Sequence, residues 1–244
     1  MRNRPESLMI FAAGFGTRMG ALTADRPKPL IEVAGRALLD HALALAEGQG
    51  LARVVVNAHY RAEQVAAHLA GRDVTVVVEA PEILETGGGL RNALPHLGAG
   101  PGLKPVYTLN SDAVWTGPNP LATLAAAWDP GVMDALLLLV PPDRATGHTG
   151  KGDFITDKAG RLSRGPGLVY TGTQIINPAR LEGMPEGPFS FNLLWDRLIA
   201  ERRLFGTLHP GGWCDVGRPA SIPLAEALLA KDQDGTQAGI RADV

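Results

Sequence analysis

Four charged residues stand in settings that suit phosphate chemistry. Arg18 and Lys28 lie in the stretch AAGFGTRMGALTADRPKP, residues 12–29, which begins at the end of an apolar run. Gly14 and Gly16 let backbone approach a ligand closely and can turn N–H groups toward phosphate oxygens. Arg18 adds a planar fork for two oxygens. Lys28 is a point charge on a stem stiffened by Pro27 and Pro29. Together these suit a polyphosphate; solvated charges on an ordinary strand-to-helix turn are the plainer alternative. Asp112, in NSDAVW after another apolar run, and Asp215, in GWCDVGRP, are the acidic counterparts. Magnesium takes one or two carboxylates and completes its shell with phosphate oxygens and water, so the two could share an ion. A turn cap for Asp112 and an ion pair with Arg218 for Asp215 stay open.

Other phosphate loops fit poorly. A dinucleotide site needs G-x-G-x-x-G opening a long helix. Here Gly14, Gly16 and Gly20 are spaced one residue too far, and Pro27 and Pro29 cut any helix short. The second apolar strand ends in Asn57, where a ribose-binding acid belongs, and no Gly-Lys-Ser/Thr triplet is present. A NAD-dependent oxidoreductase is thus disfavoured. His59 has no HExxH or Cys/His cluster around it that would make it a zinc ligand. Cys214 reads as a small packing residue, since nothing beside it would lower its pKa. Trp128, Phe191 and Trp195 fall on helical patterns and read as core, and Arg164 as an exposed loop arginine.

Positioning these groups needs a scaffold. LMIFAA, RVVVNAH, VTVVVE, PVYTLNSD and DALLLLVP are continuous apolar runs, as strands buried on both faces of a parallel sheet require. ALLDHALALAEGQG, RAEQVAAHLAG, GGLRNALPHLG and PLATLAAAW read as helices between them. The alternation predicts an α/β fold, a Rossmann-like, mostly parallel sheet flanked by helices. GDFITD and GLVYTGTQIIN then predict an antiparallel insertion or a small antiparallel extension of the sheet, followed by a helix at FNLLWDRLIAERR, a strand at LFGTLHP and a last helix near SIPLAEALLA. One domain is expected over 1–230, in two halves that meet near residue 116, with a frayed polar tail over 231–244.

The 244 residues are 45% hydrophobic, enough for one sizeable core. A net charge of −2, from 23 basic and 25 acidic residues, gives no single-sign field for nucleic acid or an anionic membrane. The one cysteine forbids an internal disulfide and fits a reducing cytoplasm. The apolar run Leu8–Ala13 is short for a signal segment, and ALLLLV is too short to span a bilayer. A cytoplasmic monomer or small homo-oligomer is expected.

The stretch AAGFGTRMGALTADRPKPL resembles the N-terminal motif of sugar-1-phosphate nucleotidyltransferases, A-A-G-x-G-T-R-M/L followed by P-K-P. The likeness runs from Met9 to about Pro219. ETGGGL, GDF and WCDVG are most similar to the compact N-acetylmuramate-1-phosphate uridylyltransferases of bacterial cell-wall (peptidoglycan) recycling. The resemblance implies an NTP, with UTP favoured, a sugar 1-phosphate and Mg2+ held by Asp112 and Asp215. It makes Arg18, Lys28, Asp112 and Asp215 the catalytic set. Nucleotide would meet Ala12, Ala13, Gly14, Gly16, Thr17, Glu79, Thr86, Gly87, Gly88 and Asn110. Sugar would meet Asn57, Gly152, Asp153, Thr171, Gly172 and Asn192. Relatives acting on glucose 1-phosphate carry a Glu-Lys-Pro segment where this chain has LSRGPGLVYTG, which argues against that substrate. A mannose-1-phosphate guanylyltransferase is the rival, since VVVNAHYRAEQV also resembles those enzymes. A molybdopterin nucleotidyltransferase matches less well past Lys28. A non-catalytic nucleotide sensor is the alternative of another class.

Overall fold

The protein is described by a computed structural model that covers residues 4–98 and 104–242. Seven strands form the main sheet: β1 Ser7–Phe11, β2 Arg53–Ala58, β3 Thr75–Val78, β4 Val106–Asn110, β5 Ala135–Val140, β6 Val169–Ile176 and β7 Leu204–Leu208. Their spatial order is β3-β2-β1-β4-β6-β5-β7. All run parallel except β6, which pairs antiparallel with both β4 and β5. The five apolar runs are thus parallel strands. The late strand β6 is wedged antiparallel into the middle of the sheet, the insertion of the two placements that the sequence pattern allowed. A small antiparallel hairpin, Phe154–Thr156 with Leu162–Arg164, lies apart from it.

Among the described residues the α-helices are α1 Leu38–Ala44, α2 Ala62–His68, α3 Glu85–Ala93, α4 Pro120–Ala127 and α5 Phe191–Ala200, which flank the sheet, and α6 Ser221–Ala242, which packs on smaller strand pairs beside it. Neighbouring strand residues point to opposite faces, and the two cores divide accordingly. Met9, Val55 and Leu137 pack with Leu90 of α3 and Leu194 and Leu198 of α5. Leu8, Ile10, Val56 and Leu138 pack with Leu39, Val65, Leu121 and Trp128 on the other face. α1 stops at Ala44 rather than Gly50, because AEGQG folds into turns with Gly48 and Gly50 at positive φ. α6 runs on through residues expected to be a frayed polar tail from 231. No proline interrupts them, and glycine alone does not end a helix. The last two residues of that tail lie outside the described residues. No described helix is long and apolar enough to cross a membrane.

A small second sheet positions the acids. Trp213–Asp215 lies between Ala113–Trp115, antiparallel, and Ala145–Thr146, parallel. Its register sets Asp215 opposite Ala113, and the Val216 amide donates to the Asp112 carbonyl at 2.8 Å. A third apolar cluster, Met19, Ile31, Val114, Cys214, Val216 and Ala225, ties the first loop, this sheet and α6 together.

Candidate active site

The first loop leaves β1 and folds back onto the carboxyl end of β4. Gly16 takes a left-handed conformation (φ +64°) and lies so close to Lys28 that a Cβ there would sit 2.8 Å from Lys28 Cβ. Only glycine fits both demands. A 3-10 turn over Thr17–Thr23 follows, and a second over Lys28–Leu30 begins beside Pro27 and Pro29. Lys28 is buried, and its Nζ donates to Asp112 Oδ2 at 2.8 Å. A buried ammonium needs such a partner, since desolvating it alone is costly.

Two cavities meet at this point. The first, about 220 Å³, is lined by Ala12, Ala13, Gly14, Lys28, Asn57, Glu79, Ile83, Thr86, Asn110 and Asp112, among others. Its floor is a buried network. Asn57 Nδ2 donates to Glu79 Oε1 at 2.7 Å, the Leu84 amide donates to Glu79 Oε2 at 2.8 Å, and Asn57 Oδ1 accepts from the Ala12 amide at 2.7 Å. Gly89 makes room for it: a Cβ would come within 2.7 Å of Glu79 Oε1.

The second cavity, about 400 Å³, shares Thr86, Asn110 and Asp112 with the first. Arg18, Asp153, Thr171, Gly172, Asn192 and Asp215 line it too. Thr171 Oγ1 donates to the Leu138 carbonyl at 2.7 Å, and Asp153 Oδ2 accepts from the Tyr170 amide at 2.8 Å. Gly172, at φ +81°, sits at a register irregularity in β6, close against the Asn110 side chain. Aromatic residues complete the wall. Trp195 packs edge-on to Tyr170 (4.9 Å) and Phe154 (5.8 Å) and stacks with Phe191 (6.0 Å).

The acids at the shared rim fit a divalent cation. Asp112 gives one oxygen to Lys28, and among the described residues its other oxygen and the whole Asp215 carboxylate accept no hydrogen bond. Burial, and then the Asp112 charge, push the Asp215 carboxyl above its ordinary pKa; Lys28, Arg18 and His148 pull the other way. Like charges held this close favour a shared cation. No cluster of three or more His, Cys, Asp or Glu forms a protein-only cage among the described residues. Cys214 next door is fully buried, its thiol pushed up to about 12 by burial and then by Asp215.

Not every expected residue faces a cavity. Asn57 lies on the first cavity, with both ends of its amide engaged, and not among the sugar candidates of the second. Gly87 and Gly88 donate their amides to the Phe189 carbonyl at 2.8 and 3.2 Å. A Cβ on them would strike the Phe189 ring and the Gly187 carbonyl, so they serve helix packing and leave Thr86 to face the cavities. Gly152 likewise packs on the Gly167 backbone, while Gly16 and Thr17 shape the loop from behind. Conversely, Trp195 and Phe191 are both core and cavity wall, and Arg164 and His148 line the second cavity. Of these only Arg164 carried a sequence signal, a cation in place of the absent Glu-Lys-Pro lysine.

A model of the MobA-like NTP transferase domain matches residues 8–208. The chain belongs to this family. It is therefore a nucleotidyltransferase. N-acetylmuramate alpha-1-phosphate uridylyltransferase of Caulobacter vibrioides is 40% identical over 95% of this chain and 100% of its own length. The enzyme of the same name from Neisseria meningitidis serogroup B is 32% identical over 90% and 96%. In fold, the inositol-1-phosphate CTP transferase from T. maritima aligns with a TM-score of 0.74 at 14% identity, covering 96% of this chain and 99% of that one.

Proposed function

We propose that this nucleotidyltransferase converts UTP and N-acetylmuramate 1-phosphate into the uridine diphosphate sugar and pyrophosphate. The observation that carries the reading is the meeting of two cavities at Asn110 and Asp112, with Lys28 on one side and Arg18 and Asp215 on the other. Two anionic substrates must meet there, and the similarity to the Caulobacter vibrioides enzyme supplies their identity.

In this reading the nucleoside occupies the first cavity, against Ala12–Gly14 and Thr86, over the Asn57–Glu79 floor. The acceptor sugar occupies the second, against Asp153, Thr171, Gly172 and Asn192. A phosphate oxygen of the acceptor attacks the α-phosphorus, and the bond to the β-phosphate oxygen breaks in line. The attacking oxygen is already ionised, so no general base is required. Lys28 neutralises charge on the α-phosphate, at a distance set by its tie to Asp112. Arg18, which has no ion pair or hydrogen bond with a described residue, binds the outer phosphates and the departing pyrophosphate. Catalysis here is positioning and electrostatic stabilisation. Asp112 and Asp215 would hold Mg2+, which supplies Lewis-acid neutralisation of the phosphates.

The reading places the enzyme in the cytoplasm, in peptidoglycan recycling, with the nucleotide half to about residue 116 and the sugar half beyond it. Its test is pyrophosphate release from UTP, dTTP, GTP and CTP, each against muramate, glucosamine, glucose and mannose 1-phosphates. Turnover confined to UTP with the muramate supports it. Preference for GTP with mannose 1-phosphate would replace it with the guanylyltransferase. Tight UTP binding without turnover would make the chain a sensor.

A further inference from the structure

The second cavity holds a cation that transfer at phosphorus does not use. Arg164, on the hairpin strand Leu162–Arg164, is held in place from several sides. Its guanidinium lies over the Phe154 ring at 4.9 Å and the Trp195 ring at 5.6 Å. Its Nε donates to Asp196 Oδ1 at 2.9 Å, and its Nη2 to the Asn192 carbonyl at 3.2 Å. Nη1 makes no hydrogen bond to a described residue. The arginine is thus orientated by two aromatic faces and two acceptors, with one edge of its fork still unused.

The acceptor's phosphate must lie near Lys28, Asp112 and Asp215, where the α-phosphorus is. Arg164 belongs to another part of the wall, the hairpin and α5. A neutral sugar offers a guanidinium there no charged partner. A muramate sugar differs from its parent glucosamine by a lactyl ether ending in a carboxylate, and an arginine fork matches a carboxylate in shape and charge.

We infer that Arg164 is the residue by which this enzyme recognises a carboxylate on the acceptor sugar, with Phe154, Trp195 and Asp196 as its positioning residues. The inference rests on the proposed muramate reading and deepens it. Arg164 stands on the hairpin, an element that carries none of Arg18, Lys28, Asp112 and Asp215, and in this reading it governs substrate choice. Asp196 limits how strongly the site attracts anions at large, since it offsets the charge until a carboxylate arrives on the unused edge.

The test compares N-acetylmuramate 1-phosphate with the same compound whose lactyl carboxylate is a primary amide, using wild type, Arg164→Gln and Arg164→Lys. Loss of a charge-assisted bond corresponds to about tenfold or more in kcat/KM. The wild type should prefer the acid by that factor. In Arg164→Gln the preference should vanish through a higher KM for the acid, with the amide's kcat/KM within about threefold of wild type. Arg164→Lys should keep part of it. An acid preference that survives in Arg164→Gln overturns the inference, and so does an equal fall for both compounds, which would make Arg164 a structural brace. Either result leaves the muramate reading intact. A wild type that turns over neither compound sinks both.

Discussion

Lys28 Nζ and Asp112 Oδ2 lie 2.8 Å apart, and this ion pair fastens the first loop to the end of β4. The loop's cation and the sheet's carboxylate therefore act as one device. Lys28→Met should lower pyrophosphate release by about 10²–10³-fold, the scale of removing one transition-state donor. A rate within threefold of wild type would move the α-phosphate elsewhere.

Asp112→Asn and Asp215→Asn should each cost turnover by about 10²–10³-fold and raise the magnesium concentration needed for half-maximal rate. Thermal melting should change little in Asp215→Asn, because the backbone pairing that joins the two segments is untouched, whereas Asp112→Asn should melt lower, because buried Lys28 loses its ionised partner. Chelation of wild type should stop turnover and added Mg2+ should restore it. Unchanged magnesium dependence in both variants would remove the metal assignment.

Gly89→Ala forces a methyl group against Glu79 Oε1 and Asn57 Nδ2, both buried. It should destabilise the fold by about 1–3 kcal/mol, as overpacking does, and raise KM for UTP by displacing the floor on which Ala12 rests. Urea unfolding with steady-state kinetics checks both parts.

Asp134 should carry part of the acid sensitivity. Burial works to raise its pKa, but hydrogen bonds from Arg203 and Asn177 and the charges of Arg203 and Arg180 outweigh it and leave the value lowered. A lowered folded pKa gives stability that is complete above the unfolded value of about 3.9 and lost as pH falls through the folded one. Asp134→Asn should thus cost about 2 kcal/mol at pH 7. The gap to wild type should close below about pH 4, as unfolding curves across that range would show.

The gathering of Arg18, Lys28, Asp112 and Asp215 around two adjoining cavities was legible because each sits in a short motif whose chemistry is local: glycines beside Arg18, prolines beside Lys28, acids at strand ends. The parallel strands were legible because both faces are buried. The place of β6 was not, since alternation of elements reports direction and burial but not which edge a late strand enters. The packing of Gly87 and Gly88 was not legible, because close approach to a ligand and close approach to Phe189 or Gly187 demand the same residue. Arg164 is exposed, as its sequence setting suggests, but it lies on a strand, and the Phe154–Trp195 platform beneath it was not legible because the chain assembles it only through the hairpin and α5.

The wedged strand has a consequence for synthesis. While the ribosome has delivered only the first 168 residues, β4 and β5 each present an open edge toward a partner that does not yet exist. Unpaired edges of this kind recruit foreign strands. Nascent chains arrested before residue 169 should therefore clump more than chains long enough to have released both β6 and β7.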